Sequence, residues 1–140
     1  MILLDTNVIS AVMAPTPQTP VLRWFDDQDS GALYLSTVTI AEIAYGIEIL
    51  PDGRRRKGLV ERFNDFVARG FESRVLSFDP PAAFEYAAIM AHRRGIGRPM
   101  GVPDGQIASI ARSNQMAVAT RNLRDFEECG LELLDPFAES

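Results

Sequence analysis

Four carboxylates in this 140-residue chain, Asp5, Glu42, Asp104 and Asp125, fall where strands end or helices begin. Acids so placed could hold a metal ion. Asp5 closes the apolar run Ile2-Leu3-Leu4, which is long enough for a strand buried on both faces. In an open α/β sheet, a polar residue just past the carboxyl end of a strand lies where ligands bind. Glu42 falls about one turn into the helix expected after the second strand. Asp104 follows Pro103 in the first turn of a later helix, behind a glycine-rich loop. Asp125 lies just past the fourth strand. If the strands are parallel, all four acids share one edge of the sheet, where like charges repel unless a cation sits among them. Oxygen donors of this kind suit Mg²⁺ or Mn²⁺ rather than zinc.

Each acid also has a plain structural reading. Asp5 fits a helix N-cap. Thr39-Ile40-Ala41-Glu42 fits a capping box, with the glutamate reaching back to its own helix start. An acid at Asp104 favours the helix dipole whatever else it does. Asn122 could cap a short helix in which Asp125 is the acid three residues on. What distinguishes the four is their common edge rather than any one position.

The elements that must place them are legible from periodicity and punctuation. A helix opens at Thr6 and Asn7 and runs to Met13, followed by a proline-punctuated loop to Pro20. A second helix begins at Val21 and fades into Asp26-Asp27-Gln28-Asp29. Residues 31–36 read as a strand, and Ile40, Ile43, Ala44, Ile47 and Leu50 then keep helical spacing. Pro51 to Gly53 stops that helix, and the basic run Arg54-Arg55-Arg56-Lys57 follows. Leu59, Phe63, Phe66 and Val67 mark another helix, ended near Gly70. Residues 75–78 read as a third strand. Asp79-Pro80-Pro81 looks like a cap with proline in the first helical turn, opening a helix that stops before Gly95. After the loop 95–103, a helix runs from Asp104 through Ala111. Residues 117–120 form a fourth strand, 122–128 a helical turn or two, and 131–134 a last strand. Strands alternating with helices predict a parallel sheet covered on both faces.

Composition narrows the class. Apolar residues make up 46% and charged residues 24%, ordinary for a globular domain. A single cysteine, Cys129, excludes an internal disulfide and a multi-cysteine zinc site. His92 is the only histidine; it sits in an alanine-rich stretch with no nucleophile motif and reads as structural. No run approaches the roughly 20 apolar residues of a membrane span. The N-terminal apolar run is too short for a secretory signal, so a cytoplasmic setting without membrane contact is expected. The net charge of −5 argues against a general nucleic-acid coat protein. Two basic groups, Arg54 to Lys57 and Arg93, Arg94 and Arg98, would be candidates for the backbone if the ligand is a nucleic acid, and are equally candidates for solvated surface.

Taken in order, Ile2-Leu-Leu-Asp-Thr-Asn7, Thr39-Ile-Ala-Glu-Ile-Ala-Tyr-Gly46, Val102-Pro-Asp104 leading into Ile107-Ala108, and Ala119-Thr-Arg-Asn-Leu-Arg-Asp-Phe126 resemble the PIN-domain signature. The match is nearest the VapC/FitB branch, the toxins of bacterial type II toxin–antitoxin pairs, and it spans nearly the whole chain. The resemblance implies one PIN domain over residues 1–140, a three-layer α/β/α sandwich with a central parallel sheet. It implies Mg²⁺-dependent endoribonuclease activity, with Mn²⁺ as a substitute. It also implies a homodimer neutralised by a VapB/FitA-like antitoxin, through which alone operator DNA would be bound.

Carried over residue by residue, Asp5, Glu42 and Asp104 match the family's best-marked acids, with Asp5 and Asp104 as metal ligands. Where relatives carry a further acid this chain has Asn122, with Asp125 three residues later. Asp125 is favoured as the fourth catalytic acid, and Asn122 as a supporting or substrate contact. Thr6, Asn7 and Thr120 are expected to hydrogen-bond the carboxylates, the attacking water or the substrate.

Two other readings compete. An Asp-dependent phosphatase also begins with a strand ending in an acid, but it needs a second aspartate where Asn7 stands. It also resembles families with a late lysine, whereas Lys57 is the only lysine here. An inactive PIN-like module that binds only DNA or a partner is the non-enzymatic alternative, and the presence of all four acids counts against it.

Overall fold

A computed structural model describes residues 1–138. Five short strands form one parallel sheet: β1 (Ile2–Leu4), β2 (Leu33–Ser36), β3 (Val75–Leu76), β4 (Ala117–Ala119) and β5 (Leu133–Leu134). Their spatial order is β3-β2-β1-β4-β5. The chain builds outward from β1 through β2 to β3, then crosses over and builds the other half through β4 and β5. The order therefore reverses between β1 and β4. Ligands of such sheets bind at that crevice, outside the carboxyl ends of the strands.

Six helices cover the sheet: α1 (Thr6–Val12), α2 (Thr19–Asp27), α3 (Thr37–Glu48), α4 (Arg54–Gly70), α5 (Pro80–Gly95) and α6 (Val102–Ser113). Crossovers between parallel strands are right-handed, so reversing the build direction moves the helices to the opposite face. The side chains of β1 show the result. Leu3 packs with Ile89 of α5 and Ile107 and Ile110 of α6. Leu4, pointing the other way, packs with Val8 of α1, Val21 of α2 and Phe63 of α4. Both leucines are fully buried, which explains why the run Ile2-Leu3-Leu4 shows no polar alternation.

Several boundaries differ from the sequence expectation. Residues 30–32 form a 3₁₀ turn capped by Asp29, whose carboxylate accepts from the Gly31 N–H at 3.1 Å, so β2 starts only at Leu33. The edge strands β3 and β5 keep two residues each, because each has a neighbour on one side only. The helix marked by Leu59, Phe63, Phe66 and Val67 begins earlier than that spacing shows, with the basic run 54–57 as the first turn of α4. Residues 123–126 are a single 3₁₀ turn rather than an α-helix. The cap at Asp79 with Pro80 and Pro81 behind it forms as expected, Asp79 accepting from the Ala82 N–H at 3.1 Å. Among the described residues no helix is long and apolar enough to cross a membrane.

Candidate active site

Asp5 leaves β1 one residue beyond its last sheet pair, Leu4 opposite Ala119, and its own N–H still donates to the Ala119 carbonyl at 2.9 Å. Thr120 is the matching residue beyond β4. Its hydroxyl, fully buried, donates to Asp5 Oδ2 at 2.8 Å. Asp5 Oδ1 accepts from the Thr6 N–H at 2.8 Å, and Asn7 Nδ2 donates to Oδ2 at 3.1 Å. Asp5 is thus both the N-cap of α1 and the most deeply placed acid of the site, only 4% exposed. Three donors occupy three of the roughly four lone-pair positions of a carboxylate, which leaves one for a ligand.

Glu42 does not close a capping box. Ser36 is the N-cap of α3, its hydroxyl accepting from the Thr39 N–H at 3.0 Å, so α3 starts earlier and Glu42 lies in its second turn. Thr6 Oγ1 instead donates to Glu42 Oε1 at 2.8 Å. Thr6 Oγ1 also lies 3.0 Å from Thr39 Oγ1. With the Thr6 proton committed to the carboxylate, Thr39 must be the donor of that pair. The sequence reading missed Thr39, since a threonine in a capping pattern carries no other mark.

Asp104 sits in the first turn of α6 behind Pro103, as expected. It is half-buried, and its carboxyl is pushed up to about 6, first by burial and then by the charges of Asp5, Asp125 and Glu42, with Arg93 opposing. Burial likewise raises Asp5, against the hydrogen bonds from Thr120 and Thr6 that favour its charged form; Glu42 and Asp125 add repulsion. The four acids therefore feel one another although they come from four separate stretches of chain. Asp5, Thr6, Asn7, Glu42, Asp104, Arg121 and Asn122 line one open groove. Asp125 lies in the exposed 3₁₀ turn beyond these residues and reaches the site through its charge. Asn122 stands at the groove wall, and its N–H donates to Thr120 Oγ1 at 3.0 Å.

Arg93 overturns one sequence expectation. It is 5% exposed and unavailable to an RNA backbone. Its guanidinium donates to the carbonyls of Arg98 at 2.6 Å, Asp125 at 3.1 Å and Glu127 at 2.6 Å. It ties the loop before α6 to the turn that carries Asp125. Arg98 is committed too, bonding the Arg124 carbonyl and Glu127. His92 is exposed, with Nε2 3.5 Å from Glu128 Oε2.

The donor set fits a hard divalent cation: all oxygen, crowded with like charge, and with Asp5 and Asp104 pushed toward protonation when nothing neutralises them. Among the described residues no three His, Cys, Asp or Glu side chains converge on one point.

The family profile described as "PIN domain" matches residues 2–130. The chain belongs to the PIN-domain family. The likeness runs the full length of this PIN domain. It is 40% identical over 137 residues to the VapC ribonuclease Y4jK of Sinorhizobium fredii, covering 98% of both chains. It is 36% identical to the Toxin FitB of Neisseria gonorrhoeae, covering 98% of this chain and 99% of that one. The solved structure of FitAB bound to an IR36 DNA fragment superposes with a TM-score of 0.94 at 36% identity, covering 100% of this chain and 98% of that one.

Proposed function

We propose that this PIN domain is the toxin of a type II toxin–antitoxin pair, an endoribonuclease that hydrolyses RNA phosphodiester bonds with a metal-activated water. The observation that carries it is the acid-lined groove at the switch point between β1 and β4, where Asp5 and Asp104 are both raised in pKa. The full-length likeness to a protein named a VapC ribonuclease and to one named a toxin supports the reading.

Asp5 and Asp104 would hold Mg²⁺, or Mn²⁺ in its place. Bound there, the ion would supply Lewis acidity at a phosphate oxygen and lower the pKa of a coordinated water. Thr120, Asn7 and the Thr6 N–H orient Asp5 so that one lone pair remains for that duty. Glu42, one oxygen fixed by Thr6, keeps its second oxygen to accept the proton of the attacking water. Asp125 supplies further negative charge at the rim, and Asn122, which lines the groove, contacts the substrate. The water oxygen bonds to phosphorus as the bond to the leaving sugar oxygen breaks, and the proton taken by Glu42 passes through solvent to that leaving oxygen.

Residues 1–140 are read as one PIN domain that works in the cytoplasm as a homodimer. Its partner is a VapB/FitA-like antitoxin, and operator DNA is reached only through that partner. The FitAB complex on DNA supports this pairing.

Induced without a partner, the protein should arrest growth and cleave RNA only with Mg²⁺ or Mn²⁺ present. Asp104→Asn should relieve the arrest at equal abundance. A folded, equally abundant Asp104→Asn protein that remains toxic would overturn the site.

A further inference from the structure

The groove that holds the acids also holds one cation. Arg121 lines it together with Asp5, Glu42 and Asp104. Its side chain is fixed by two neutral groups. The guanidinium carbon lies 3.9 Å from the centroid of the Phe137 ring, and Nη2 donates to Gln18 Oε1 at 3.2 Å. Its backbone is fixed as well, the Arg121 N–H donating to Asn7 Oδ1 at 3.2 Å. Asn7 in turn donates to Asp5, so Arg121 and Asp5 are held in register through a single side chain.

Among the described residues, no carboxylate lies within ion-pair distance of Arg121, although three acids share its groove. Other arginines are used differently. Arg56 pairs with Glu48 and Asp52, and Arg112 with Glu85. A guanidinium carries five N–H donors in a planar fork, and only one of these is used by Gln18. Stacking on an aromatic face fixes the plane of the fork and leaves its edge free. Such an edge matches the two non-bridging oxygens of a phosphodiester.

Resting on the ribonuclease reading above, we propose that Arg121 is a substrate-binding residue that grips an RNA phosphate adjacent to the one cleaved. The acids and their cation hold the reacting phosphate. Arg121, at the groove wall and preset by Phe137 and Gln18, takes the neighbouring one. An otherwise acidic cleft thereby offers the polyanion a positive foothold. Since the contact lies off the reacting atoms, it stabilises bound substrate and transition state alike, and its loss acts on binding.

The test is fluorescence anisotropy of a labelled, mixed-sequence RNA of about 20 nucleotides, with Ca²⁺ present to neutralise the acids, across a salt series. Arg121→Ala should weaken binding roughly tenfold and make the slope of log K against log salt shallower by about 0.7, the value for one phosphate on a single strand. Arg121→Lys keeps the charge, so it should restore the slope while recovering only part of the affinity. Phe137→Leu should weaken binding without changing the slope. Arg69→Ala, an exposed arginine late in α4 that pairs with Asp65, serves as the surface control and should leave affinity and slope unchanged. A folded Arg121→Ala protein with wild-type affinity and slope overturns the proposal. So does a slope change in Arg121→Ala that lysine does not restore. Wild-type protein that binds no RNA overturns both this proposal and the ribonuclease reading, whereas a silent Arg121→Ala beside a binding wild type overturns this one alone.

Discussion

Thr120 donates its hydroxyl proton to Asp5 across 115 residues of sequence. The direction is forced, because the same oxygen lies 3.0 Å from the Asn122 N–H and 3.4 Å from Asn7 Nδ2, both donors. Its lone pairs are taken, so its proton goes to the carboxylate. A buried hydroxyl thus holds the Asp5 charge at the switch point of the sheet.

Thr120→Val keeps the branched shape and removes that proton. A hydrogen bond to a charged group contributes about 1.5–3 kcal/mol, so the variant should be destabilised by that order at neutral pH. It should also bind Mg²⁺ more weakly, since Asp5 becomes harder to ionise. Urea melts and a Mg²⁺ titration of the thermal midpoint check this. Unchanged melting and unchanged Mg²⁺ response would show that the hydroxyl does not govern Asp5.

The raised Asp104 carboxyl makes stability depend on pH in a definite sense. A group with a higher pKa in the folded state keeps its proton there after the unfolded chain has lost it. Folded-state stability from Asp104 is therefore full below about 4, the free aspartate value, and falls as pH climbs to about 6. Asp104→Asn cannot lose that proton, so without metal it should gain on the parent across that window and keep the gain at pH 7.5. Mg²⁺ at a hundred times its dissociation constant should return roughly 2.7 kcal/mol to the parent, and much less to the variant. Melts in EDTA and in Mg²⁺ at pH 4.5 and 7.5 decide it. A difference between the two proteins that does not vary with pH would mean that Asp104 is not raised.

Arg93→Met removes a buried guanidinium and leaves the carbonyls of Arg98, Asp125 and Glu127 without that donor. A hydrogen bond from a charged donor contributes about 1.5–3 kcal/mol, and water can replace the donor at the exposed residues Asp125 and Glu127, so a loss of about 1–3 kcal/mol is expected. Hydrogen exchange should quicken in the loop 96–101 and the turn 123–126 before it does elsewhere. Uniform protection across the chain would argue against the clamp.

Gly105 sits directly behind Asp104 because α5 leaves no room for a side chain. A Cβ there would come within 2.5 Å of Met90 Sδ and 3.1 Å of Tyr86 Cε2. Methionine can swing away and the tyrosine ring less so, hence Gly105→Ala should cost about 1–3 kcal/mol and shift Asp104 with its helix. Thermal melts paired with RNA cleavage rates test this. A fully stable and fully active variant would show that α5 yields without moving α6.

The sequence by itself determined the alternation of strands and helices, the parallel sheet and the acids that cap its edge. Those signals are local: an apolar run closed by Asp5, helical spacing from Ile40, the Asp79-Pro80-Pro81 start. It also carried the family likeness in four ordered blocks. What only the tertiary structure decided lies in pairings between distant residues. The capping pattern at Thr39 and Glu42 is satisfied elsewhere, because Ser36 already caps α3 and Thr6 competes for the glutamate from α1. Arg93 reads as surface beside Arg94, yet helix rotation turns it inward, where three carbonyls from later loops meet it. Arg121 was hidden among acids because its partners, Gln18 and Phe137, arrive from opposite ends of the chain. Spacing along a sequence records helix faces and strand alternation; it does not record which side chains meet once β1 and β4 lie side by side.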